Sequence, residues 1–185
     1  MAGIAKLDIA SLSADEMSDR LDELAGLLHA CVHAGASIGF VLPFDPDDAT
    51  TYWREKVGPA AGRGGLTVLA ATLAGRMVGS AQLDHDTPAN QPHRAEVRKL
   101  MVHPEFRRRG IARALMGEIE RHAIRLGRSL LTLDTRTGDM AEPLYASLGY
   151  RTSGVIPGYC LDTAGEAVRF HDDHVQGALN GLKAR

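Results

Sequence analysis

Lys99-Leu100-Met101-Val102-His103-Pro104-Glu105-Phe106-Arg107-Arg108-Arg109-Gly110-Ile111-Ala112 is the stretch on which the fold turns. An apolar, strand-like run closes at Val102, His103 to Arg109 form a short basic connection, and a long helix opens at Ile111. The first turn of a helix presents unpaired N–H groups, and the helix dipole adds partial positive charge there. Gly110 and Ala112 leave room for a ligand to approach the backbone, and Arg107, Arg108, Arg109 and Arg113 surround the opening with cations. That combination suits a di-anion such as a pyrophosphate. The turn is not a Walker loop, having no Gly-Lys-Ser/Thr, and its single glycine excludes a dinucleotide fingerprint. The plainer alternative is a solvated basic helix start; the position between a strand and a long helix favours the binding site.

Outward from this turn, Ala95 to Val102 reads as a strand and Ile111 to Leu126 as a helix with Ile111, Leu115, Ile119, His122 and Leu126 on one side and Gly127 as its stop. Leu130 to Leu133 is a short buried strand, and Ala141 to Leu148 a second helix with Pro143 in its first turn. Tyr150 to Ile156 and Val168 to Val175 are the last strand candidates. Upstream, Leu66 to Leu73 and Met77 to Asp84 form a hairpin through Ala74-Gly75-Arg76, followed by a Pro-containing loop from Asp86 to His93. Nearer the N-terminus, Ile4 to Ile9 alternates like a strand. Ser13-Ala14-Asp15-Glu16 is a capping box, and Met17, Leu21, Leu24, Leu28 and Val32 make one helical stripe ending near Gly35. Asp45-Pro46 starts a further helix whose apolar face is Ala49, Trp53, Val57 and Ala60. Strands and helices mix around a central strand-helix-strand unit, which implies one α/β domain with a mixed sheet over residues 1–185.

Composition agrees. The 185 residues are 44% hydrophobic and 24% charged, values of a folded globular chain with a sizeable core. Lys plus Arg is 21 and Asp plus Glu 23, a net charge of -2 that argues against nucleic acid as a partner. No apolar run approaches the ~20 residues of a membrane helix. No secretory signal opens the chain, and neither Cys31 nor Cys160 has zinc-ligand spacing, so the expectation is a cytoplasmic protein with free thiols, no metal and no membrane contact.

Two further groups of residues invite chemistry. Glu96 lies inside a strand between Arg94 and Arg98, where a carboxylate has low propensity; Asp134 stands at the end of another strand. Tyr145 sits within Glu142-Pro143-Leu144-Tyr145-Ala146-Ser147-Leu148-Gly149-Tyr150. Each also has a structural reading: a cross-strand ion pair, a turn cap and a core tyrosine. The residues alone do not separate the two.

The strand, the Arg-x-x-Gly-x-Ala turn and helix, and Leu144-Tyr145-x-x-Leu148-Gly149-Tyr150 together resemble the GNAT superfamily of acetyl-CoA-dependent N-acetyltransferases over about Leu66 to Ile156. A closer resemblance is to the tabtoxin-resistance acetyltransferase group. It is carried by His33 to Phe40, Arg94 to Val102, Leu133-Asp134-Thr135 and Pro157-Gly158-Tyr159-Cys160. The resemblance implies a mostly antiparallel mixed sheet with two splayed parallel strands and helices on both faces. Acetyl-CoA would then lie between the splayed strands, its arm paired with the backbone of Leu100, Met101 and Val102. The amides of Arg108 to Ala112, ringed by Arg107, Arg109 and Arg113, would hold the pyrophosphate. The Met101 amide would donate to the thioester oxygen, Glu96 or Asp134 would serve as general base, and Tyr145 would protonate the departing thiolate. Transfer would be direct, in a ternary complex, to a primary amine of a small molecule such as a toxin or antibiotic. A protein N-terminus or polyamine acceptor, and a non-catalytic acetyl-CoA sensor, are the alternatives; a homodimer is compatible. Two positions depart from the pattern. Position 138 is Gly where many members carry a cofactor-contacting Asn, and polar His171-Asp172-Asp173-His174 replaces an aromatic-rich strand and reads as a solvated edge or tail.

Overall fold

The computed structural model describes residues 6–176, the side chains of 169–176 excepted. The chain opens with β1 (Leu7–Leu12), displaced toward the C-terminus from the expected Ile4–Ile9; Ile4 lies outside the described residues. Ser13 caps α1 (Ala14–Asp19): its Oγ accepts from Glu16 N at 3.2 Å, and Glu16 Oε2 accepts from Ser13 N at 2.7 Å. The single helix expected here is broken at Arg20, which leaves helical geometry at φ −111° and ψ 22°, and α2 (Leu21–His33) carries the rest. Asp45 caps α3 (Pro46–Thr51) in the same two-way manner. The helix then widens into a π segment (Tyr52–Val57) before α4 (Gly58–Gly62). Pro59 has no N–H to continue an α ladder, and the wider turn falls just before it.

The remaining elements are β2 (Leu66–Leu73), β3 (Arg76–Asp84), β4 (Arg94–Val102), α5 (Ile111–Arg125), β5 (Leu130–Arg136), α6 (Glu142–Ser147), β6 (Arg151–Leu161) and β7 (Ala167–Gln176). The strands form one seven-stranded sheet in the order β1-β2-β3-β4-β5-β7-β6. Every neighbouring pair is antiparallel except β4 and β5. Those two pair only at Arg94↔Leu130, Ala95↔Leu131 and Glu96↔Thr132, and beyond that they separate.

Helices cover both faces. On one, Ile111, Leu115, Met116, Ile119 and Ala123 of α5 pack with Leu69, Val78, Leu83, Val97, Leu131 and Tyr145. The apolar stripe of α5 is narrower than its sequence suggests, since Leu126 caps the helix and stays 43% exposed. On the other face, Leu24, Leu28, Trp53 and Val57 pack on Val68, Ala70 and Met101. His171 to His174 are neither edge nor tail. They lie within β7, the strand expected at Val168 to Val175, but as an inner strand between β5 and β6 rather than a solvated edge. The outer strand β6 runs past the expected Ile156 to Leu161, accommodating Pro157 in an irregularity between Ile156 and Cys160 on its way.

One local defect positions the site. The β3–β4 register steps from Ser80↔Met101 to Gln82↔Arg98, so Lys99 and Leu100 share one position opposite Ala81. Lys99 takes a left-handed φ of 50° there. His103 N donates to Val78 O at 2.9 Å, which makes that pair a hydrogen-bonded one. Alternation then turns the Met101 peptide toward Ser80, and the Val102 peptide away from β3. The bulge lies between two bonded positions, so the Lys99 and Leu100 peptides also face away. A Cβ on Gly79 would come 2.9 Å from Met101 O, which places that carbonyl against β3.

Candidate active site

The parting of β4 and β5 opens a cleft of about 950 Å³. The backbone edge of β4 borders it from Val97 to Val102, and the start of α5 closes one end. Asp134 to Ala141, Ala34 to Gly39, and Tyr159-Cys160 complete its walls. The Val102 carbonyl shows how this edge is presented: it accepts from Cys31 Sγ at 3.5 Å and Arg107 Nε at 3.4 Å rather than from a strand. Burial pushes the Cys31 thiol up to about 11, so it is a packing group and not a nucleophile at neutral pH.

The α5 start has no side-chain cap, as is also true of α2, α4 and α6. Both α1 and α3 satisfy their leading amides with capping boxes, whereas α5 begins at Gly110 with no side-chain cap. Gly110 has φ +78°, and a Cβ placed there would meet nothing within 4 Å. The first-turn amides therefore face open space next to Arg107, Arg108 and Arg113, which also border the cleft. Arg113 is steadied by donating to Ser147 Oγ at 2.7 Å.

At the opposite end Glu96 and Asp134 both border the cleft. Glu96 lies 3.7 Å from Arg98, which is held more tightly by Asp84 at 2.7 Å. Burial raises the Glu96 carboxyl above its ordinary range; Arg98 opposes this, and the charge of Asp134 reinforces it. Tyr145, only 6% exposed, reaches the cleft from α6 with its ring 5.7 Å from that of Tyr150. The site thus offers a bare strand edge leading to an uncapped helix, with two carboxylates and a phenol beyond.

The family model described as "Acetyltransferase (GNAT) family" matches residues 25–150. The chain belongs to this acetyltransferase family. It is a GNAT-family acetyltransferase. Solved structures share the fold at low identity. The yncA protein from Salmonella typhimurium, solved with its cofactor acetyl-CoA, is 18% identical over 96% of each chain at a TM-score of 0.74. A ribosomal-protein-alanine N-acetyltransferase from Brucella melitensis is 20% identical over 91% of this chain and 99% of its own, with a TM-score of 0.74. An N-acetyltransferase from Staphylococcus aureus Mu50 is 13% identical over 93% and 99%, with a TM-score of 0.75.

Within this acetyltransferase, Glu96, Asp134, Tyr145, Leu100, Met101, Val102, Arg107, Arg108, Gly110, Ile111, Ala112 and Arg113 all border one cleft. Arg109 does not: its guanidinium stacks 5.0 Å from the Phe106 ring and donates to Glu105 O at 3.2 Å. Met101 contributes no amide to the cleft, because its peptide is turned to β3. Sequence reasoning gave no site role to Lys99, and of the 137–140 loop it noted only Gly138, for lacking a cofactor-contacting Asn. The loop has no signal of its own: Gly138 N donates to Glu142 Oε2 at 2.8 Å, a purely local tie. Among the described residues no group of three or more His, Cys, Asp or Glu is placed to hold a metal, and no helix is long and apolar enough to cross a membrane.

Proposed function

We propose that this acetyltransferase acts on a primary amine of a small molecule, by direct attack while both substrates occupy the cleft. The observation that carries this reading is the placement of Glu96 and Asp134 on the same cleft as the open β4 edge and the uncapped α5 start. The Leu100 peptide and the Val102 N–H, neither turned to β3, offer hydrogen-bonding groups to an extended pantetheine arm, and the α5 amides with Arg107, Arg108 and Arg113 offer a seat to the pyrophosphate. By register, the N–H able to donate to the thioester oxygen is that of Leu100 rather than Met101.

An aliphatic amine attacks only after losing a proton. Glu96 or Asp134 takes it, directly or through water. The amine nitrogen then bonds to the acetyl carbon, the C–S bond breaks, and Tyr145 supplies the proton that the departing thiolate accepts. Cys160 faces the same cleft, yet burial raises its thiol pKa, so a covalent acetyl-enzyme has no activated nucleophile here. The likeness to the tabtoxin-resistance group at His33 to Phe40 and Pro157 to Cys160 supports an amine-bearing toxin or antibiotic as acceptor, since both segments contribute to the acceptor end. The test is CoA release across a panel of small amines, polyamines and peptides, with both substrates varied. Release on small amines with intersecting double-reciprocal lines is the expected result. Parallel lines would reject the ternary complex, and release on peptides alone would reject the acceptor class.

A further inference from the structure

Lys99 lies at the acceptor end of the cleft, with no ion-pair partner among the described residues. Its neighbours are committed: Arg98 pairs with Asp84 at 2.7 Å and Glu96 at 3.7 Å, whereas among the described residues no carboxylate lies within 4.0 Å of the Lys99 ammonium. The ammonium sits 5.4 Å from the centroid of the Phe40 ring. It also sits against Gly39, where a Cβ would be 3.0 Å from Nζ. Gly39 itself borders the cleft and holds φ +85°, a conformation suited to glycine. Above this corner, Leu42 N donates to Thr163 O at 2.9 Å, tying the 34–44 segment to the β6–β7 turn.

The backbone underneath is strained to the same end. Lys99 is a non-glycine residue at φ 50° inside the β4 bulge, a geometry that persists only where its surroundings hold it. Burial disfavours the charged ammonium, Arg98 adds to this, and Asp134 and Glu96 work against it. A half-buried cation without a bonded anion is costly, and an anionic ligand would remove that cost. Glu96 and Asp134, facing the same space, would draw an ammonium. One end of the cleft thus offers a cation and two carboxylates a short distance apart, the pattern that complements a zwitterion.

We propose, resting on the acetyl-transfer reading above, that the acceptor is an amino acid or amino-acid-like molecule whose carboxylate is bound by Lys99 while its amine lies at Glu96 and Asp134. Lys99 is then a specificity-determining residue.

The experiment compares free amino acids with their carboxamides, which keep the amine and lose the charge, as acceptors in a CoA-release assay. The wild type should favour the acids by about tenfold or more in kcat/KM, the scale of one charge-assisted hydrogen bond. Lys99→Met should bring that ratio near one by raising KM for the acids, and Lys99→Arg should restore part of the preference. Gly39→Ala, which displaces Nζ, should lower the ratio as well. Acetyl-CoA binding by each variant verifies that the fold is intact, so a changed ratio reports the acceptor end. Carboxamides used as well as acids by the wild type, or a ratio unchanged in Lys99→Met, would overturn the proposal while leaving the transfer reading standing. No release from any amine would overturn both.

Discussion

At the scale of single residues, the carboxylates separate chemistry from packing. Glu96 is held by Arg98 at 3.7 Å, but burial raises its carboxyl above the usual range, the direction that favours a general base. A base works deprotonated, so kcat/KM should fall as pH drops, through an acidic limb lying above that of an ordinary glutamate. Glu96→Gln and Asp134→Asn should each lower turnover by about 10²-fold or more with acetyl-CoA affinity nearly unchanged, and Glu96→Gln should also shift the limb. Full turnover in both variants would remove the carboxylates from the chemistry. Glu96 stood out by type, as a carboxylate inside a strand, whereas Asp134 at a strand end also fitted a turn cap. Their joint location came only from the family resemblance, since no local pattern states that β4 and β5 are neighbours. Arg109 shows the converse: its charge matched the expected ring of cations, and only the structure shows it spent on Phe106 and the Glu105 carbonyl.

At the scale of elements, the β4 bulge accounts for both the open strand edge and the one misplaced amide. Ala95 and Val97 join the α5 side of the core, whereas past the bulge Leu100 and Val102 pack on that side and Met101 on the other. An extra residue reverses which side chains face which way, and the sequence carries the trace as a broken alternation at Lys99-Leu100-Met101. A strand read as regular therefore assigns Met101 the amide that register gives to Leu100. Gly79 is the packing counterpart of this defect: a methyl group there would stand 2.9 Å from Met101 O, 3.1 Å from Ile111 Cγ2 and 3.1 Å from Leu115 Cδ1. Gly79→Ala should cost about 1–3 kcal/mol in urea unfolding, and it should weaken acetyl-CoA binding because both β4 and α5 must move. Unaltered stability would show that the strand edge is not held where the register puts it. The other local devices were readable outright, since the Ser13 and Asp45 capping boxes need only nearest neighbours. The break at Arg20 and the π segment before Pro59 depend on packing against the sheet, where short-range spacing is silent.

At the scale of the whole molecule, the sheet order puts the parallel pair at its centre and lets the strands diverge after three matched residue pairs. That divergence creates the cleft, brings the α5 start to one end, and leaves β5, β6 and the 34–44 segment to shape the other. The central unit was visible in the sequence because the strand, basic turn and helix are contiguous. The acceptor end was not, because it is assembled from segments far apart in the chain, Ala34 to Gly39, Glu96, Asp134 and Tyr159-Cys160. The central claim is that the divergence binds acetyl-CoA with its pyrophosphate at the Gly110 turn. The most direct test is calorimetric titration of acetyl-CoA into the wild type and into Gly110→Trp, whose side chain would enter the open space at the α5 start. The account predicts micromolar binding by the wild type and none by the variant at equal fold content; no binding by the wild type, or equal binding by both, would contradict it.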